Sequence, residues 1–340
     1  MQGEGNILAL HYLTKRIMNN VYRIADKNIR INSLFSFVQV YCEKYRTDDE
    51  ADFEIEITDA DLKAESETVK ADVMGGWVEV SAVYRKIAEI MPKYDTFMLH
   101  GSAISVDGEG YLFTAKSGTG KSTHTKLWRE LLGDRAVMVN DDKPFIRVSD
   151  DEARIYGTPY SGKEGLNTNI SVPLKAICVL ERSKENRIMQ VDLSDVYPVL
   201  IQQTYHPSDR AMFNRTLELL DRLSRHVIFY RLFCNQESEA AEVSYRAMKG
   251  QEAKMRLKEE FLTHTSGDES YLVPSGNLEF RGLVKGNETL GEVVELLKTD
   301  TTESQIVKKL REKYNAPAGT IEFDVKKAVA VLRSVGAIIE

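Results

Sequence analysis

Apolar positions recur along this chain with two different spacings, and the switches between them mark its elements. Between residues 20 and 98, short apolar pieces at 21–24, 53–57 and 77–83 predict strands, whereas 83–91 carries helical spacing. That alternation predicts an α/β entry lobe over residues 1–95, packed on the core that follows and without a chemistry of its own. In the next stretch, 96–249, residues 103–106 and 111–114 flank Asp107-Gly108-Glu109-Gly110, the pattern of a hairpin with a glycine-containing turn. A helix is predicted at 124–132 and strands at 136–139, 145–148 and 176–180. Few helices separate these strands, which predicts a mixed sheet rather than a doubly wound parallel one.

From 250 to 268 the composition turns polar and charged, with Lys254, Lys258, Glu259 and Glu260, as expected of a bridging helix and linker. A compact unit over 269–340 follows. Tyr271-Leu272-Val273 and Leu278-Glu279-Phe280 flank Pro274-Ser275-Gly276-Asn277, which predicts a hairpin with turn chemistry at its tip. Three helices come next. Leu290, Val293, Val294 and Leu297 share one helical face, and Thr302 with Gln305 forms a capping box ahead of Ile306, Leu310 and Tyr314. Val325, Ala328, Val329 and Leu332 repeat the first spacing, and Gly336 suits the position just past a helix end.

Composition narrows the class. A chain of 340 residues, 42% hydrophobic and 29% charged, is long enough for two or three domains. Its formal charge of −7 gives no support to nonspecific nucleic-acid binding. No apolar run approaches the length of a membrane span, and the first residues lack a signal-peptide pattern, so a cytoplasmic protein is expected. The three scattered cysteines, Cys42, Cys178 and Cys234, read as small apolar residues rather than disulfides or zinc ligands.

The candidate chemistry centres on Ala115-Lys116-Ser117-Gly118-Thr119-Gly120-Lys121-Ser122-Thr123, set between a predicted strand and a predicted helix start. Gly118 and Gly120 let consecutive amides turn inward around a triphosphate, with Ser117, Thr119 and Thr123 completing the cradle. Lys121 would reach the β- and γ-phosphates of ATP, and the Ser122 hydroxyl would bind Mg2+. The usual pattern opens on a glycine where this chain has Ala115. A glycine-rich turn that binds nothing would not need Lys-Ser at the helix start.

Such a loop needs a further carboxylate for its metal and, in a kinase, a base for the attacking hydroxyl. Asn140-Asp141-Asp142 ends a predicted strand about twenty residues downstream. Two adjacent aspartates there can point different ways, one toward metal and one toward acceptor; the bland alternative is a solvated turn. His100, before the hairpin, would hold the γ-phosphate or the acceptor, or else serve as a core histidine bonded to backbone. The loop Gly157-Thr158-Pro159-Tyr160-Ser161-Gly162-Lys163-Glu164-Gly165 has the content of an anion clamp, with Lys163 its cation, or of a solvated loop. Tyr205-His206-Pro207 and the arginine-rich stretch 210–225 fit an adenine side, an oligomer interface or a plain surface helix, and a homo-oligomer stays open.

His100-Gly101, the hairpin, Ser117-Gly118-Thr119-Gly120-Lys121-Ser122 and Asn140-Asp141-Asp142 resemble, in order and spacing, the C-terminal domain of HPr kinase/phosphorylase. That domain is itself similar to ATP-dependent phosphoenolpyruvate carboxykinase. Over residues 96–249 the resemblance implies a carboxykinase-like mixed-sheet P-loop core, ATP and Mg2+, and a serine-type hydroxyl acceptor. It makes His100 and Asp141 catalytic, Asp141 as base or acid, and gives the metal to Ser122 and Asp142. The loop at 157–165 does not spell that family's signature, and residues 1–95 do not match its N-terminal domain, so HPr itself need not be the substrate. Residues 271–340 resemble the PqqD family at Asn287-Glu288-Thr289, Leu296-Leu297, Thr301-Thr302, Ile306-Val307 and Leu332-Arg333-Ser334-Val335-Gly336. This implies a winged-helix-like unit, hairpin plus three helices, that binds a leader peptide by adding it as a strand.

The expectation is therefore an ATP-dependent kinase for a serine-type hydroxyl on a peptide recruited by the C-terminal unit. Its competitors are a small-molecule hydroxyl kinase and an ATP-binding peptide scaffold without transfer. The spare carboxylate argues against the scaffold.

Overall fold

The computed structural model describes residues 18–67, 75–250, 254–267, 269–275, 280–317 and 319–339. They fall into two compact units, Met1–Tyr245 and Arg246–Glu340.

The first unit opens with a four-stranded sheet built from β1 (Met18–Ile24), β2 (Lys27–Ser33), β3 (Arg46–Thr47) and β4 (Phe53–Glu56), in the order β3-β1-β2-β4. Helices Phe37–Cys42, Asp59–Ser66 and Gly75–Ile90 accompany it. The last corrects the strand expected at 77–83. Its Trp77-Val78-Glu79-Val80-Ser81 alternates like a strand because Glu79 is polar yet fully buried, its carboxylate accepting the backbone amides of Leu34 and Phe35. Glu79, Val83 and Ile87 then form one buried helical stripe.

The core sheet has nine strands: β5 (Thr96–Met98), β6 (Ser102–Val106), β7 (Glu109–Thr114), β8 (Ala136–Asn140), β9 (Phe145–Val148), β10 (Ala153–Tyr156), β11 (Ser171–Arg182), β12 (Arg187–Val191) and β13 (Ile228–Cys234). Seven run in the order β5-β9-β10-β11-β7-β6-β8, and β13 joins β11 and β12. Only β11 makes parallel pairs here, with β7 and with β13; the other pairs are antiparallel, so the sheet is mixed and the chain α/β. β6 and β7 close on Asp107 and Gly108, whose φ of 53° and 83° suit a two-residue turn. The entry lobe shares one apolar cluster with the core, in which Tyr22, Tyr45, Val83 and Ile87 pack with Met98, Phe145 and Tyr160. Cys42 and Cys178 are buried and Cys234 half-buried, all as free thiols.

In the second unit the stretch expected as helix and linker carries β14 (Arg256–Leu257) and β15 (Phe261–Ser266) instead. β15 pairs with β16 (Glu269–Pro274), and β17 (Val284–Asn287) completes the sheet, while β18 (Ile338–Ile339) pairs with β14. β15 and β16 thus form a hairpin ahead of Pro274, and β16 pairs antiparallel with β17 beyond it; of the turn and return strand expected at 274–280, residues 276–279 lie outside the described residues. Helices Glu288–Leu296, Glu303–Lys313 and Thr320–Ser334 follow. The capping box of Thr302 and Gln305 forms, and Gly336 takes φ 68° past the last helix. Their shared face, with Leu290, Val293, Ile306, Leu310, Val329 and Leu332, makes the core. Among the described residues no helix is long and apolar enough to cross a membrane.

Candidate active site

Strand β7 leads into the glycine-rich turn, and the helix Lys121–Leu132 leaves it from Gly120. Gly118 and Gly120 have φ of 78° and 122°, a conformation closed to most residues. A Cβ added at either would meet nothing within 4 Å, so the backbone course demands glycine and the space over the turn is open. No side chain caps the helix at Gly120, so its first amides, which have no partner inside the helix, are left available as donors to an anion. Ser117, Ser122 and Thr123 are exposed and Thr119 half-buried. Lys121 is buried, with its Nζ donating to the Ala115 carbonyl at 3.1 Å. Burial holds its pKa below the usual lysine value, and the charge of Asp142 works against that fall.

The segment before β6 meets the end of β8 beside this turn. The Gly101 amide donates to the Asp142 carbonyl at 3.0 Å, and Thr114 Oγ1 to the His100 carbonyl at 2.8 Å. A Cβ on Gly101 would stand 2.6 Å from Leu112 Cδ1 and 2.8 Å from the Phe113 carbonyl oxygen, so only glycine passes β7 this closely. His100 Nε2 lies 3.0 Å from Asp142 Oδ1, and Lys143 Nζ 3.6 Å from Asp142 Oδ2. Burial works to raise the Asp142 pKa, but the His100 hydrogen bond and the charges of Lys143, His100 and Lys121 outweigh it and hold the carboxyl below its ordinary value.

Its neighbour is shifted the other way. Burial raises Asp141, the charges of Asp142 and Glu164 add to the rise, and the Gly162 amide opposes it by donating to Oδ1 at 2.6 Å. Asn140 frames the pair: its Oδ1 accepts the amides of Asp142 (2.9 Å) and Lys143 (2.7 Å), and its Nδ2 donates to the Thr158 carbonyl at 3.0 Å. One carboxylate is thus tuned to stay ionised beside cations, the other to be the more basic.

Lys121, His100, Asp141 and Asp142 are brought together, with the 157–165 loop touching Asp141 through Gly162. Lys163 is exposed on that loop. His206 bonds the Ile201 carbonyl, Tyr205 the Glu89 carboxylate, and Arg222 pairs with Asp150, which gives these residues partners in the fold. Two cations were missed by sequence reasoning. Arg182, ending β11, reaches the Gly118 carbonyl and, at 3.3 Å, that of Thr119; only the pairing of β11 with β7 places it there. Lys143 stood next to the aspartates and was legible as a cation. A cavity of about 270 Å³ opens beside the turn, lined by Thr119, Gly120, His124, Leu180, Arg182 and Gln236.

The donor set fits nucleotide and metal. An open, uncapped amide turn with a buried lysine suits a triphosphate, and an ionised Asp142 with the exposed Ser122 hydroxyl suits magnesium, which takes one or two protein ligands alongside phosphates.

Residues 62–235, just over half the chain, match the family model described as SynChlorMet cassette protein ScmC, and 277–338 match that of coenzyme PQQ synthesis protein D (PqqD). Among curated proteins none matches the chain. A solved structure of TbiB1 in complex with the TbiA(beta) leader peptide is 16% identical, covering 24% of this chain and 93% of that one, with a TM-score of 0.22. The Hpr(Ser) kinase/phosphatase from Coxiella burnetii is 8% identical, covering 45% and 95%, with a TM-score of 0.26. At those TM-scores neither likeness carries a functional assignment.

Proposed function

The chain belongs to the family described as SynChlorMet cassette protein ScmC, and from the site geometry we propose that it is an ATP-dependent kinase acting on a serine-type hydroxyl of a peptide recruited by its PqqD-like unit. The observation that carries this is a pair of adjacent carboxyls beside a buried P-loop lysine, Asp142 held by His100 Nε2 at 3.0 Å and Asp141 by the Gly162 amide at 2.6 Å. Binding alone would not need the second carboxylate.

In this reading the turn amides and Lys121 hold the triphosphate, and Ser122 with Asp142 would hold magnesium. Bound there, magnesium would neutralise the phosphate charge that develops toward the leaving group. His100 fixes Asp142 through Oδ1. Asp141, one oxygen held by Gly162, takes the proton of the acceptor hydroxyl as its oxygen bonds the γ-phosphorus and the bond to ADP breaks. The cavity beside Gly120 receives the nucleoside.

Peptide recruitment is supported by the PqqD match and by a backbone edge. β17 ends the sheet β15-β16-β17, and a groove of about 270 Å³ runs along it, lined by Val284, Lys285, Leu290, Lys327, Ala328 and Val331. An extended leader pairing with β17 would seat alternate side chains there.

Asp141→Asn is the test. ATP binding by calorimetry should stay within about twofold while transfer falls roughly 10²- to 10⁴-fold; undiminished transfer would remove Asp141 from the mechanism.

A further inference from the structure

The entry lobe was expected to carry no chemistry, yet a path of hydrogen bonds and one peptide link leads from it to Asp141. Tyr45, in the 3-10 turn Glu43–Tyr45, is buried, and its hydroxyl donates to Asn167 Oδ1 at 3.2 Å. Asn167 Nδ2 donates to Ser161 Oγ at 2.8 Å. The next residue is Gly162, whose amide holds Asp141 Oδ1 at 2.6 Å. Ser161 also hydrogen-bonds Tyr41 of the lobe, and Asn169 Nδ2 donates to the Lys44 carbonyl at 3.2 Å.

The loop is rooted in the lobe as well as bonded to it. Tyr160, one residue before Ser161, is buried in the lobe's own apolar cluster with Cys42 and Tyr45, its ring 6.1 Å from that of Tyr41. The far side of the loop is tied to β8, with the Asp141 amide donating to the Leu166 carbonyl at 3.1 Å and Asn140 bridging Asn167. Contact with the carboxylate is close: a Cβ on Gly162 would lie 2.9 Å from Asp141 Oδ2. The position of the loop therefore sets the position of the carboxylate.

We propose that Tyr45 and Asn167 are positioning residues for Asp141, and that the entry lobe serves the transfer site as the fixed wall holding the Ser161-Gly162 turn against that carboxylate. The inference rests on the reading of Asp141 as the base. Tyr45 touches neither nucleotide nor acceptor in this scheme; it acts through Asn167, Ser161 and Gly162. A tyrosine needed only for packing would be replaced by phenylalanine without consequence, because the ring is kept and only the hydroxyl leaves. With the hydroxyl gone, Asn167 Oδ1 loses that donor, the amide keeps its bonds to Ser161 Oγ and the Gly165 carbonyl through Nδ2 but not its anchor to the lobe, and the Gly162 N–H is less firmly directed. Misplacement of a reacting group by about 1 Å can cost as much as 10²-fold in rate.

The test uses the full chain, wild type, Tyr45→Phe, Asn167→Ala and Ser161→Ala, with magnesium ATP and water as the phosphoryl acceptor. Two quantities are read: kcat and KM for release of γ-labelled phosphate, and the Gly162 amide proton in glycine-labelled protein, by chemical shift and hydrogen exchange. Tyr45→Phe is expected to lower kcat roughly 10- to 100-fold with the KM for ATP nearly unchanged, to move the Gly162 amide upfield and to speed its exchange. A folded Tyr45→Phe with kcat and the Gly162 amide both unmoved would overturn the proposal. If Asn167→Ala fails to fold, Tyr45→Phe and Ser161→Ala carry the test. Should Asp141→Asn turn over ATP like wild type, the reading of the base falls, while the Gly162 amide still decides whether the lobe holds the carboxylate.

Discussion

The two units treat polar groups in opposite ways. Up to Tyr245 the fold buries Glu79, Lys121, His124, Asn140 and Asp141, whereas the buried polar side chains among the described residues after Arg246 are just Ser270 and Thr301. Burying an ionisable group is costly unless partners hold it, and in the first unit those partners are present: Gly162 for Asp141, Ser244 for His124, Ala115 for Lys121. The second unit fills its interior with Leu, Val and Ile and leaves at its surface the features the proposed recognition would use, an edge strand and a groove. Chemistry needs preset charge, while strand addition needs only backbone and shape.

The sharpest way to break this contrast is Lys121→Ala. If the buried cation exists for phosphate, phosphoryl transfer should fall by about 10³-fold, measured with γ-labelled ATP; a fall of less than tenfold would make the lysine structural.

The next effect is on stability. His124 lies under the P-loop helix with Nε2 2.9 Å from Ser244 Oγ, and burial pushes its pKa down to about 4. Unfolded, it takes up a proton below about pH 6.5. Its contribution is therefore complete above that value and is lost as pH falls toward 4, amounting to roughly 3 kcal/mol. Denaturant titrations from pH 7 to 4 should show it, and His124→Gln should remove about one proton from the pH dependence. An unchanged slope would mean that His124 is not held neutral.

In the second unit, Val331→Asp places a charge in the groove along β17. Leader-peptide affinity should fall about tenfold or more by fluorescence anisotropy, with ATP hydrolysis unaltered; full affinity would move the peptide elsewhere. Lys163→Ala should be the mildest change, within about twofold in transfer, as for an exposed residue outside tight contacts. A loss of tenfold would put that lysine on the phosphates.

Legibility in the sequence followed the range of each signal. The P-loop turn, the Thr302–Gln305 capping box and the Gly336 stop are set by neighbours a few residues apart, and the pattern displayed them. The helix Gly75–Ile90 was hidden because Glu79 is buried by amides 44 and 45 residues away. β15 was hidden because Leu262, His264, Thr265 and Ser266 are exposed, so its polar stretch read as a linker. The candidate site divides in the same manner. His100, Lys121, Asp141 and Asp142 stood out by residue type and order, but their bonding pattern did not. Arg182 and Tyr45 had no local mark at all, since what places them is strand pairing and a loop contact across more than sixty and one hundred residues.

The most direct measurement is to incubate the full chain with γ-labelled ATP, magnesium and any peptides encoded next to its gene. The account predicts label on a serine-type hydroxyl of a peptide, lost with Asp141→Asn and reduced with Val331→Asp. Label that enters a small hydroxyl compound and no peptide would contradict it.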